Sequence, residues 1–326
     1  MTKLIARFRA WVCMGVTSTF FLTAFAAYPE KPIRIVLPYP PGGGGDLLIR
    51  TIQPMLEKRL GQSVVIDYKT GAAGNIGAQE VVNAVPDGYT LLLGATNNFV
   101  INQHLFPKLG FDPGVAFVPV TVMIEQPYVV VISSQVPART FNEFTAYAKA
   151  NVGKLNFASP GAGTVPHMSA FMLSDQLGAK MVHVPYRGSQ PAAMALAGNE
   201  VQLFIASYGI VSGQIADGKV RPIAVAADKR LALLPNVPTS AEGGLPSGIL
   251  LGNWWGLAAP KGTDPAIVQK LARDIKAVMD DPEIQKKFLS QGSVPIASTP
   301  EEFRDRIQIE TRQWKNIVEK TGVKVE

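Results

Sequence analysis

The sequence predicts an α/β protein of two domains. Two observations lead there. Short β-branched runs alternate with helical stretches along most of the chain, and one arrangement, a strand followed by a glycine-rich loop and a helix, occurs in each half. Length points the same way, because 326 residues exceed the roughly 250–300 that one hydrophobic core usually serves.

The first unit opens with Ile33-Arg34-Ile35-Val36-Leu37, a strand that ends at Pro38-Tyr39-Pro40-Pro41. Gly42 to Gly45 and Asp46 follow. Leu47, Leu48, Ile52, Met55, Leu56 and Leu60 then recur at helical spacing as far as Gly61, with Asp46 as the expected N-cap. Val64 to Ile66 is a second strand, Gly71 to Asn75 a loop, Ile76 to Ala84 a helix and Thr90 to Leu93 a third strand. This alternation predicts a largely parallel sheet.

The second region begins with strand Tyr128 to Ile132 and helix Phe141 to Ala150. Leu155 to Ser159 is its next strand, Pro160 to Pro166 its glycine loop, and His167 to Leu177 the helix that follows. Further strands are expected at Met181 to Val184, Val201 to Ile205 and Pro222 to Ala226, and Pro235 to Pro246 reads as a surface connection. Trp254 to Ala258 predicts a strand returning to the first half. Helices over Pro265 to Met279, Pro282 to Gln291 and Pro300 to Thr321 close the chain, each starting at or near a proline, which suits a first helical turn. Trp314, at helical spacing from Ile307 and Val318, is expected in the core.

Composition restricts function. Lys3, Arg7 and Arg9 precede an apolar run to Phe25, and Ala24-Phe25-Ala26 is a small-x-small site; together they predict a cleavable secretory signal over residues 1–26. No later stretch is long and apolar enough to span a bilayer, so a soluble mature protein is expected. Cys13, the one cysteine, falls inside the signal, which leaves no disulfide, thiolate metal site or cysteine nucleophile in the mature chain. Beyond the signal, 28 basic residues face 25 acidic ones without clustering. Nucleic acid would call for a basic face, so it is not an expected partner.

The glycine loops are where chemistry is expected. A loop from the carboxyl end of a parallel strand into a helix offers backbone N–H groups and the positive end of the helix dipole. Two such loops in two α/β regions suggest a cleft that holds an anion between helix N-termini. Gly161-x-Gly163 before Pro166 lacks the third glycine of a dinucleotide fingerprint, Gly71 to Gly77 has the wrong spacing, and no GxxxxGK[ST] occurs. No GxSxG elbow marks a hydrolase, and His104, His167 and His183 form no zinc pattern. His167 could donate to a ligand or simply start its helix; His104 and His183 read as structural. Arg187 could reach a cleft or lie on the surface. Asp46 suits bracing its loop better than acid–base work.

Taken in order, these stretches resemble the substrate-binding proteins of tripartite tricarboxylate transporters, the Bordetella uptake gene family. The resemblance rests on Pro40 to Asp46, Gly71 to Gly77, Pro86 to Thr90, Ser159 to Thr164 with His167, Val184 to Gly188, Val237 to Thr239 with Glu242, and Trp255 to Pro260. It implies a type II periplasmic-binding-protein fold, with residues 27–124 and 252–326 as one α/β domain and 125–251 as the other, hinged around a cleft. It implies a periplasmic monomer without cofactor or metal that is not an enzyme. Its ligand would be a small carboxylate, such as a di- or tricarboxylate, an acidic amino acid or an aromatic acid, passed to the membrane subunits of the transporter. Presentation of the ligand to a sensory receptor and a secreted hydrolase are the alternatives. Carried over residue by residue, the implied ligand-binding set is Tyr39, Pro41, Gly42, Gly43, Gly44 and Asp46 in the first loop and Ser159, Gly161, Ala162, Gly163, Thr164 and His167 in the second. Ala95, Thr96, Tyr186, Arg187, Gly188 and Ser207 are neighbouring contacts. Gly45 and Ser207 depart mildly from the family pattern.

Overall fold

The structure is a computed structural model that describes residues 28–227, 229–245 and 252–321. The expected signal peptide lies outside the described residues. In chain order the first elements are β1 (Ile33–Leu37), α1 (Gly44–Leu60), β2 (Val64–Tyr68), α2 (Asn75–Val82) and β3 (Thr90–Ala95). A π-helical turn (Asn97–Ile101), the short α3 (Asn102–Leu105) and α4 (Pro113–Ala116), and β4 (Phe117–Gln126) follow. Next come β5 (Tyr128–Ser133), α5 (Phe141–Ala150), β6 (Asn156–Ser159), α6 (Val165–Gln176), β7 (Val182–Pro185), α7 (Ser189–Ala197), β8 (Leu203–Ser207), α8 (Tyr208–Ala216) and β9 (Val220–Ala226). The chain ends with β10 (Asn253–Pro260), α9 (Pro265–Met279), α10 (Pro282–Ser290), β11 (Val294–Pro295) and α11 (Pro300–Thr321).

Two sheets result, with strand orders β11-β4-β10-β3-β1-β2 and β7-β6-β8-β5-β9. Both are mixed, where a largely parallel sheet was expected. β1, β2 and β3 run parallel, but β10 lies antiparallel between β3 and β4, and β5 lies antiparallel between β8 and β9. The ten-residue β4 has no counterpart in the expected strands. Pro119 interrupts its pattern, and a proline has no N–H for the ladder. The fold absorbs it at an irregularity: Ala258 pairs with Pro119 beside a register shift in β10. α7 and α8 were not expected either. Their alanine-, glycine- and serine-rich sequences show no polar face to set against the apolar one.

The chain passes from the first sheet to the second through Pro127, between the end of β4 and the start of β5. The apolar core extends from one sheet to the other, taking in Val36, Leu92 and Trp254 from the first and Val130, Phe157 and Ile205 from the second. At its densest point Phe99 stacks on Trp254 at 5.6 Å, and Phe303 of α11 meets both rings edge-on at 5.2 and 5.4 Å. Gly256 must be glycine here, because a Cβ would lie 2.4 Å from the Phe303 ring. Trp314 is buried in the same core, as expected. Phe303 is fully buried, so Phe303→Ala should lower stability by about 3–5 kcal/mol, read as a shifted midpoint in urea unfolding.

Candidate functional site

The loops after β1, β6, β7 and β8 lead into α1, α6, α7 and α8, and all four helix starts meet around one cavity of about 70 Å³ between the sheets. Gly43 and Gly44, Thr164 and Pro166, Gly188 and Ser189, and Ser207 come from these starts. Not one of the four helices has a side-chain N-cap. By contrast α5, α9 and α10, which begin elsewhere, are capped by Thr140, Asp264 and Asp281. First-turn N–H groups have no partner inside their helix, so a helix left uncapped presents them to whatever it faces. Among the described residues lining the cavity none is acidic or basic.

The α1 wall is set by close packing. A Cβ on Gly44 would fall 2.5 Å from Gln126 Oε1, and one on Gly45 would fall 2.4 Å from the Trp255 ring. Trp255 is fixed by donating Nε1–H to Gln126 Oε1 at 2.7 Å, and the Tyr39 ring meets it edge-on at 5.4 Å. Glycine thus lets the helix start lie directly on the tryptophan, with its N–H groups toward the cavity. Gly43, rather than Asp46, is the N-cap residue. Asp46 sits in the first turn and accepts from the Gly42 N–H, Arg50 Nε and the Tyr68 hydroxyl. Burial pushes its carboxyl up, but the bonds from Tyr68, Gly42 and Arg50 outweigh this and hold it below its ordinary value. It braces the loop.

The α6 wall is different. Gly161 N–H donates to Ser159 Oγ (3.2 Å), Gly163 N–H to His167 Nδ1 (3.1 Å) and Val165 N–H to Asn97 Oδ1 (3.1 Å). Pro166 has no N–H. The second glycine loop therefore spends these donors internally, and the two loops are not equivalent. His167 stacks on His183 at 3.9 Å, and His183 Nε2 lies 2.7 Å from Ser159 Oγ. Burial pushes both rings down to about 4, with the neighbouring His183 adding to the effect on His167. Both are neutral near pH 7, and His167 carries its proton on Nε2 because Nδ1 accepts.

Asn97 joins the sheets. It follows β3, donates Nδ2–H to the Gly163 carbonyl at 2.6 Å and accepts the Val165 N–H, so one buried amide holds both faces of the α6 loop.

Of the sequence-derived residues, Tyr39, Gly43, Gly44, Ala95, Thr164, Gly188 and Ser207 line the cavity. Gly161, Ala162 and Arg187 line an adjoining outer chamber of about 540 Å³. Pro41, Gly42, Asp46, Thr96, Ser159, Gly163, His167 and Tyr186 line neither. Thr96 instead receives the Trp254 N–H, and His104 bonds the Thr311 carbonyl. Sequence reasoning missed Asn97, Gln126, Tyr128, Phe204, Asn253 and Trp255 as lining residues. Tyr128, Phe204 and Trp255 read as ordinary strand residues. Asn253, a lone amide just before an apolar strand, was the one available signal.

The model of the tripartite tricarboxylate transporter family receptor matches residues 48–323. The chain belongs to this family. Among its relatives, protein BugT of Bordetella pertussis is 32% identical over 320 residues, covering 96% of this chain and 98% of that protein. The structure of the periplasmic binding protein BugD superposes with a TM-score of 0.86 at 32% identity, over 92% of this chain and 100% of that one. MatC from Rhodopseudomonas palustris, solved with bound malate, superposes at 0.83 with 31% identity, over 89% and 100%. The family receptor has the two-sheet periplasmic-binding-protein fold of type II expected from its sequence. No described helix of the receptor is long and apolar enough to cross a membrane.

Two outcomes follow from this geometry. Asn97→Ala removes both hydrogen bonds from Asn97 to the α6 loop and should weaken ligand binding by about tenfold, or about 1.4 kcal/mol, with a larger radius of gyration for the ligand-free protein in small-angle scattering. The histidine pair should make stability depend on pH. Unfolded rings protonate near pH 6.5 and folded ones near 4, so between these values the unfolded chain binds more protons. Stability should fall as pH drops from about 6.5 to about 4 and level off below, with His167 supplying on the order of 3 kcal/mol. In urea titrations at pH 7 and 4.5, His167→Asn should show a smaller loss than the wild type.

Proposed function

We propose that this receptor is an exported binding protein that captures a small carboxylate between two hinged domains and delivers it to the membrane subunits of a tripartite transporter. One observation carries the reading: four uncapped helix starts converge on a buried cavity that has no basic lining residue among those described. Backbone N–H groups at helix starts recognise an anion without a formal counter-charge. α1 and α7 suit this best. Their starts face each other across the cleft, with Gly188 against Pro40 and Gln190 Nε2 donating to the Gly42 carbonyl at 3.4 Å. The malate bound by MatC supports a carboxylate ligand.

The domains in this reading are residues 27–124 with 252–326 and residues 125–251, and the crossing at Pro127 is one hinge strand. Contacts from both sides bind a ligand better in the closed state than in the open one, which is what a closing ligand requires. Capture in the periplasm follows export by the signal over residues 1–26, cleaved at Ala24-Phe25-Ala26. The same cavity gives binding without turnover, since the Ser159–His183 pair lies behind the loop, with Ser159 fully buried.

Titration calorimetry against small organic acids and their methyl esters tests this. At least one acid should bind at micromolar Kd or tighter while its ester binds at least about a hundredfold more weakly, and Gly44→Ala should weaken the acid by at least about tenfold. Equal binding of acid and ester, or no acid that binds, sinks the reading.

A further inference from the structure

Three uncharged side chains in the cavity wall have no hydrogen-bond partner among the described residues. Asn253 is 5% exposed, and its Oδ1 is buried without a hydrogen bond. No described residue bonds its amide nitrogen either. Asn253 stands two residues before Trp255 on β10, so both side chains leave the same face of the sheet, the face that Trp255 gives to the cavity. Tyr128 and Ser207 also line the cavity, are more than nine-tenths buried, and their hydroxyls make no hydrogen bond with a described residue. Tyr128 pairs with Ser207 across β5 and β8, while Asn253 pairs with Gln126, two residues before Tyr128. The three form one patch at the cavity floor, where the chain crosses between the sheets.

An unanswered buried amide costs free energy that a bound group can recover. A carboxylate has only acceptor oxygens, so it leaves Asn253 Oδ1 unpaired. A second buried carboxylate would also meet no basic side chain among the described lining residues. A hydroxyl or primary carboxamide brings a donor to Oδ1, and a carboxamide accepts from the Asn253 amide or the Tyr128 hydroxyl as well. The cavity volume corresponds to about five to seven water-sized groups, which suits a chain of a few carbons between two polar ends.

We propose that the floor formed by Asn253, Tyr128 and Ser207 is a subsite for an uncharged hydrogen-bond donor. The preferred ligand is then a small monocarboxylate carrying a carboxamide or hydroxyl at its other end, rather than a dicarboxylate. This rests on the reading of the α1–α7 end as the carboxylate site.

Matched pairs decide it: succinamate against succinate and glutaramate against glutarate, titrated by calorimetry into the wild type, Asn253→Leu and Tyr128→Phe. The wild type should bind the amide acid of at least one pair about tenfold tighter than its diacid. Asn253→Leu should bring that pair within about threefold by weakening the amide acid. Tyr128→Phe, which removes only a hydroxyl and guards against a folding defect, should weaken the amide acid by about threefold or more, and by a larger factor than it weakens the diacid. A diacid bound as tightly as its amide, or a preference that survives both substitutions, overturns the subsite. If other carboxylates bind but none of these four does, the subsite falls and carboxylate capture stands. If no carboxylate binds at all, both fall.

Discussion

A helix that begins without a capping side chain leaves its first N–H groups to be answered by something else. In this receptor four helices that begin without one open onto the same cavity. α5, α9 and α10 satisfy their own starts with Thr140, Asp264 and Asp281, while the helices that open onto the cleft do not. The packing of Gly44 and Gly45 on Trp255, the bracing of Asp46 by Tyr68 and Arg50, and the crossing at Pro127 all serve to hold unanswered donors in a space too small for bulk water. At these helix starts the cavity wall is backbone, and side chains hold that backbone in place.

The two glycine loops have separated in role. The first leaves donors open at α1. In the second, Ser159, His167 and Asn97 take up the N–H groups of Gly161, Gly163 and Val165. Asn97 follows β3 of the first sheet, so the second loop is completed by a residue from across the cleft. Separating the sheets at this point would uncover Val165 N–H and the Gly163 carbonyl. The stacked His167–His183 pair adds rigidity behind the loop as long as both rings stay neutral, since a charged pair 3.9 Å apart would repel.

Much of the fold was legible because the signal was local. β1, the glycines and the apolar spacing of α1 sit next to each other in sequence, and the prolines mark the starts of α9, α10 and α11. β4 was not legible, because Pro119 counts against a strand locally while β10 accommodates it by a register shift. α7 and α8 escaped because they lack a polar face. Both glycine loops could be read from strand–loop–helix order, whereas Gly188 and Ser207 came only from the family resemblance. Asn97, Gln126 and Tyr128 could not be read, since nothing near them in sequence marks a lining residue, and Asn253 offered only a lone amide before an apolar strand.

By itself, then, the sequence determined the α/β class and the two glycine loops, which follow from residue spacing within short stretches, and the family, which follows from a resemblance over an ordered set of motifs. Only the tertiary structure decided which loop keeps its donors free, because that depends on Asn97, some 66 residues away from Gly163. It also decided what stands at the far end of the cavity. Asn253 and Tyr128 are 125 residues apart and line one cavity because β10 returns to pair with β4.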